Sequence, residues 1–221
     1  PGARCTGKVI VYFHGNSEDV ETNYVMCECL ADRFSATVYA FDYVGYGMHK
    51  KNKSDVHLKP SEENIYADSV SMVNYVCSMH DEADIILYGR SLGSSPALYV
   101  ASKKPKLAGC VLESPFTSPV KTVIQNKTYK SLLYPTGIFG KKELFSNEKH
   151  IAKVEIPLLF IHGKKDIIVP FHHSITLIDL AKKAKSIDFF WVEEGGHNDM
   201  YLHSGLKIYN HIHKFLSSTE S

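Results

Sequence analysis

An α/β fold on a mainly parallel sheet is what the chain predicts, and three observations predict it. Short runs rich in β-branched and aromatic residues alternate with longer stretches of helical period. Nearly every run is apolar on both faces, as strands covered by helices on two sides must be. Each connection between runs is long enough for a right-handed crossover. At 221 residues the chain reads as one domain, 1–221, since domains usually hold about 100–200 residues.

The elements follow in order. The first strand is Lys8 to Phe13 (KVIVYF), and it runs into the glycine-bearing loop Phe13-His14-Gly15-Asn16-Ser17. Helical spacing then covers Val20 to Phe34. The second strand is Thr37 to Asp42 (TVYAFD), and Ser61 to His80 is the second helix. The third strand, Asp84 to Gly89 (DIILYG), leads without a gap into a helix over Ser91 to Lys104. Leu107 to Leu112 (LAGCVL), Ile156 to His162 (IPLLFIH) and Ser186 to Val192 (SIDFFWV) complete about six strands, with helices over Phe171 to Lys185 and Tyr201 to Leu216. The tail SSTES reads as a frayed end.

Two segments break this rhythm. His49 to Lys59 carries four lysines and one aspartate; Ser118 to Lys153, about 36 residues, carries seven lysines and two glutamates with Tyr129, Tyr134, Phe139 and Phe145. Their formal charges of about +3 and +5 leave about −7 for the rest of a +1 chain. Both follow the C-terminal ends of strands, the edge where open α/β sheets bind ligands. A basic rim over that edge is one reading and a solvated face is the other. The second segment, about 118–153, is taken as a small helical cap or insertion.

Composition excludes several classes. With 44% hydrophobic and 22% charged residues, the chain is far from the disordered corner. No apolar run approaches the roughly 18 residues of a membrane span, and PGARCTGK lacks the apolar core of a signal peptide. Five scattered cysteines, Cys5, Cys27, Cys29, Cys77 and Cys110, argue against a disulfide framework and for a reducing compartment. A soluble, cytoplasmic chain is the expectation. Neither a metal nor another cofactor is expected, because Cys27-x-Cys29 and His211-x-His213 point their ligands to different sides of a helix, and Gly45-Tyr46-Gly47 lacks the third glycine of a dinucleotide loop. Nothing in the charge pattern suggests nucleic acid.

Gly89-Arg90-Ser91-Leu92-Gly93 has the G-x-S-x-G spacing directly between a strand and a helix, the context of a nucleophile elbow. The strand turns so sharply there that neighbouring Cβ atoms would clash, which is why glycines flank a serine held in strained backbone. A serine hydroxyl needs a base oriented by a carboxylate. His197, in Glu194-Gly195-Gly196-His197-Asn198-Asp199, follows the last strand, and Asp166, in His162-Gly163-Lys164-Lys165-Asp166, follows the one before it. Glu113 and Asp199 remain rival acids. The oxyanion donors are expected to be the backbone amides of Leu92 and Asn16.

With HGN (His14 to Asn16), FDYVGYG (Phe41 to Gly47), GRSLGS (Gly89 to Ser94), ESPFTS (Glu113 to Ser118), HGKKD (His162 to Asp166) and GGHND (Gly195 to Asp199) in view, nearly the whole chain resembles α/β-hydrolases of the Bem46 and ABHD17-like group. The resemblance implies the same triad, Ser91, Asp166 and His197. It also implies the α/β-hydrolase fold, with an acyl ester or thioester as substrate: some members remove palmitate from protein cysteines, others are esterases or lipases. Members carry strands and an N-terminal segment ahead of the HGN strand, in the depalmitoylating ones a cysteine-rich membrane anchor. The expectation is therefore a sheet lacking the first strands of the usual eight, with an exposed edge strand, and membrane association through a segment outside this chain.

The expected chemistry is acyl transfer to water through an acyl-enzyme on Ser91. Phe116, Val169 and Met200, with Leu132, Leu133, Ile138, Phe139 and Phe145 of the insertion, are candidates to line an acyl groove, the alternative being a small core of the insertion's own. The basic rim is a candidate for peripheral contact with anionic membrane around a lipidated protein substrate. A soluble carboxylesterase, lysophospholipase or monoacylglycerol-type lipase is the second enzyme reading, a peptidase a weaker one. A silent hydrolase-like binding module is disfavoured because all three triad positions are filled.

Overall fold

The computed structural model describes residues 7–48, 59–119 and 144–219. Cys5, nearly all of the lysine-rich segment after the second strand, and Tyr129, Leu132, Leu133, Tyr134, Ile138 and Phe139 of the insertion lie outside the described residues.

Six strands form one parallel sheet: β1 (Val9–Phe13), β2 (Thr37–Ala40), β3 (Ile85–Arg90), β4 (Gly109–Glu113), β5 (Leu158–Gly163) and β6 (Ile187–Val192), in the order β2-β1-β3-β4-β5-β6. The register sets Val9 beside Ile85 and Phe13 beside Gly89, so the loops after β1 and β3 leave the sheet at one level. Val9–Phe13, Gly109–Glu113 and Leu158–Gly163 are buried along their whole length. Among the described residues the outer strands, β2 and β6, have one neighbour each and are partly open.

Helices α1 (Tyr24–Phe34) and α6 (Met200–Ser218) cover one face; α2 (Glu62–Cys77), α3 (Ser94–Ala101), α4 (Asn147–Ile151) and α5 (His172–Leu180) cover the other. Strand alternation divides the core accordingly. Val9, Val11, Ile85 and Leu87 pack under α2 and α3, while Ile10, Tyr12, Ile86 and Tyr88 pack under α1 and α6.

Some helix limits differ from those predicted. Residues 20–23 turn before α1 because Asp19 and Thr22 bond each other's backbone, Asp19 N to Thr22 Oγ1 and Thr22 N to Asp19 Oδ1 at 2.9 Å each. Ser61 caps α2, its Oγ accepting from Asn64 N at 3.1 Å, with Glu62 and Glu63 in the first turn. The helix expected over Phe171 to Lys185 stops at Leu180, and Lys185 N donates to Glu155 O at 3.2 Å, returning the chain to the sheet. The closing helix runs on to Ser218, so Ser217 and Ser218 are helical rather than frayed. Of the insertion, the described part includes the short helix α4 and the fully buried Phe145.

Candidate active site

The turn after β3 is built around Ser91, which has φ +51°, a conformation L-residues rarely hold. Ser91–Gly93 form a single 3₁₀ turn, and Ser94 Oγ donates to Ser91 O at 2.6 Å. Gly93 is obligatory because a Cβ there would overlap Phe13 O and lie 2.8 Å from His14 O. The loop after β1 therefore meets the elbow backbone to backbone, and the amides of Leu92 and Asn16 belong to these two touching segments. That loop is braced from below: Tyr43 Oη donates to His14 O at 3.2 Å, and Tyr46 Oη donates to Asn16 Oδ1 at 3.0 Å. The FDYVGYG motif, unassigned in sequence terms, is this brace.

The loops after β5 and β6 are likewise fastened together. Lys164 N donates to Val192 O and Lys165 N to Gly195 O, both at 2.9 Å. Gly163 admits the contact, since a Cβ there would overlap Gly195 O. The result is a chain of three side chains: His197 Nε2 lies 3.1 Å from Ser91 Oγ, and His197 Nδ1 lies 2.7 Å from Asp166 Oδ2. A carboxylate accepts only, so Nδ1 carries a proton and Nε2 of the neutral ring is left to accept from the Ser91 hydroxyl.

Asp166 is fully held. Its Oδ1 accepts from Ile168 N at 2.9 Å and Val169 N at 2.8 Å, and His162 Nε2 stands 3.3 Å from Oδ2. His162 Nε2 is also 2.8 Å from Val169 O, and Nδ1 is 2.6 Å from Ser174 Oγ. Both neighbours of Nε2 are acceptors, so the proton sits there and Ser174 donates to Nδ1. Burial is the largest single influence on Asp166 and pushes its carboxyl up, but hydrogen bonds with His162 and His197 and the electrostatic pull of those rings outweigh it. The carboxyl is held well below the usual carboxylate range.

The rival acids have other partners. Glu113 Oε2 accepts from Tyr88 Oη at 2.6 Å and Tyr201 Oη at 3.1 Å, and Oε1 accepts from Arg90 Nε at 3.1 Å. Burial first and the Glu113 charge second hold both phenols well above their ordinary range, so they stay donors. Asp199 Oδ1 accepts from Gly196 N at 2.6 Å, shaping the loop that carries His197. Phe116 and Val169 are buried on the α2–α3 face, whereas Met200 is buried on the α1–α6 face, so these three are not brought to one groove. His162, Arg90 and Glu18 were missed as parts of the site; for His162 the signal available was its i,i+4 spacing to Asp166. Among the described residues no cluster of His, Cys, Asp and Glu could hold a metal ion, and no helix is long and apolar enough to cross a membrane.

The model of the Hydrolase_4 family, described as "Serine aminopeptidase, S33", matches residues 5–147. The chain belongs to this family. This hydrolase is 30% identical over 206 residues to alpha/beta hydrolase domain-containing protein 17C of Xenopus tropicalis, covering 92% of the chain and 59% of that relative. To protein 17B of Homo sapiens it is 28% identical over 205 residues, covering 92% of the chain and 64% of the relative. The chain thus spans about three fifths of the length of these relatives. Among solved structures, a Pyrococcus furiosus esterase superposes with TM-score 0.74 at 19% identity, over 96% of this chain and 81% of that one. The monoacylglycerol lipase of Paleococcus ferrophilus superposes with TM-score 0.67 at 20% identity, over 96% and 95%. At such identities the likeness carries the fold, an α/β-hydrolase with its parallel six-stranded sheet.

Proposed function

We propose that this hydrolase cleaves an acyl ester or thioester through Ser91, His197 and Asp166. The observation that carries the reading is the continuous relay from Ser91 Oγ through both nitrogens of His197 to a buried, ionised Asp166. Ser91 attacks the carbonyl carbon while Nε2 of His197 takes its proton, and the amides of Leu92 and Asn16 receive the oxyanion. The same imidazole returns the proton to the leaving group, and water repeats the sequence on the acyl-enzyme. Asp166 holds the tautomer and the charge that forms on the ring.

A lipid-like acyl chain, including palmitate on a protein cysteine, is the substrate class favoured by the resemblance of the motifs. The family description names an aminopeptidase, so an aminoacyl amide belongs in the comparison. The test is hydrolysis of matched oxygen esters and thioesters from C2 to C16, with an aminoacyl amide alongside and Ser91→Ala as blank. Activity that rises with chain length and persists in thioesters supports an acyl-protein thioesterase. A peak at C2 to C4 in oxygen esters makes it a small-ester hydrolase, and a wild type no faster than Ser91→Ala on every substrate refutes the reading.

A further inference from the structure

We propose that Arg90, the residue between the first glycine and the serine of the elbow, is a positioning residue that sets the spacing between the His197 loop and the loop carrying the oxyanion amide. The inference rests on the catalytic reading of Ser91, His197 and Asn16 above.

The guanidinium reaches two loops and the end of a neighbouring strand. Its Nη2 donates to Asn198 Oδ1 at 2.7 Å and to His197 O at 3.3 Å, gripping the loop after β6 at His197 and at the residue that follows it. Nη1 donates to Glu18, and Nε donates to Glu113 Oε1 at 3.1 Å at the end of β4. Glu18 passes the restraint onward: its Oε2 accepts from Gly15 N at 2.7 Å and from Asn23 Nδ2 at 3.2 Å. Gly15 immediately precedes Asn16. One planar group thus joins the base loop to the oxyanion loop, from the residue next to the nucleophile.

Arginine suits this task because its five N–H groups are fixed in one plane and can serve partners in several directions at once. A lysine ammonium keeps the charge but has no fork. The Arg90 side chain is only 13% exposed and Glu113 only 2%, so the ion pairs are little screened by solvent. None of the contacts reaches the Ser91 hydroxyl, so Arg90 acts through the two loops. Displacing a catalytic group by about 1 Å costs up to about 100-fold in rate, and that is the effect expected of loosening this clamp.

The test compares wild type, Arg90→Lys, Arg90→Gln and Asn198→Ala in the full chain, on the best ester of the series and with a fluorophosphonate probe for Ser91. The expected result is a kcat lowered roughly 10- to 100-fold in both Arg90 variants, with KM nearly unchanged and probe labelling slowed in proportion, while near-UV circular dichroism keeps its native form. A purely structural role would lower the melting temperature without this split. Arg90→Lys that folds and retains wild-type kcat, or a loss carried by KM alone, overturns the assignment. If neither Arg90 variant folds, Asn198→Ala decides: this exposed side chain removes one arm, a several-fold drop in kcat supports the clamp, and an unchanged kcat overturns it. An inactive wild type is a different failure, since it removes the catalytic reading and the inference with it.

Discussion

Two carboxylates lie at the C-terminal ends of neighbouring strands, and their partners give them different work. Asp166 faces the nitrogens of His197 and His162, whereas Glu113 faces two phenols and a guanidinium. Asp166→Asn removes the carboxylate that holds the imidazole, so kcat is expected to fall about 10⁴-fold. Glu113→Gln is expected to leave Ser91 labelling by a fluorophosphonate largely intact and to cost about 2–3 kcal/mol, read by urea unfolding. The reverse pattern would exchange their roles. Asp166 also shapes the acid side of the stability curve. A carboxyl held low in the folded state stabilises fully above about pH 4, the unfolded value, and the contribution is lost as pH falls toward the folded value. Relative to Asp166→Asn, wild type should therefore lose its advantage only below about pH 4.

At the scale of elements, the elbow depends on backbone contact. A Cβ on Gly93 has no flexible neighbour to displace, because Phe13 and His14 meet it with carbonyl oxygens. Gly93→Ala is expected to cost at least about 3 kcal/mol and to abolish Ser91 labelling, both measurable on one preparation. The packing of α4 onto α2 and α3 carries its own pH dependence. His150 Nε2 stands 3.3 Å from Tyr66 Oη, and its ring packs edge-on to Tyr66 and Tyr99. Burial first, then Lys153, Lys103 and Lys149, push its pKa from 6.5 down to about 4. Between those values the unfolded chain binds the extra proton, so stability should fall as pH drops from 6.5 to about 4. His150→Gln should flatten that slope in thermal melts taken across the range; an unchanged slope would contradict the assignment.

For the whole molecule, one fact of topology gathers the site. All six strands are parallel, so the loops after β1, β3, β5 and β6 leave the same edge of the sheet, where Ser91, Asp166 and His197 converge. In sequence, the lysine-rich segments follow β2 and β4, whose C-terminal ends lie at that edge. If they form a basic rim, binding to vesicles containing phosphatidylserine should exceed binding to neutral vesicles and weaken steeply with salt, each lysine adding about 1 kcal/mol. Equal sedimentation with both vesicles would remove the rim from the account.

The sequence by itself determined the strands, their order along the chain, and the identities of Ser91, Asp166 and His197 as the residues to watch. These are legible because a buried parallel strand must be continuously apolar, a nucleophile elbow must have glycines, and the acid and base must follow strands whose ends face the elbow. Only the tertiary structure set Asp166 rather than Glu113 or Asp199 beside His197 Nδ1, put Met200 on the opposite face from Phe116 and Val169, and joined Arg90 to Glu18, Glu113 and the His197 loop. The contacts of Arg90 join side chains 23 to 108 positions apart in the chain. Spacing along a sequence states when a residue leaves the sheet, but direction and distance to a partner on another strand come from the packing of the whole sheet.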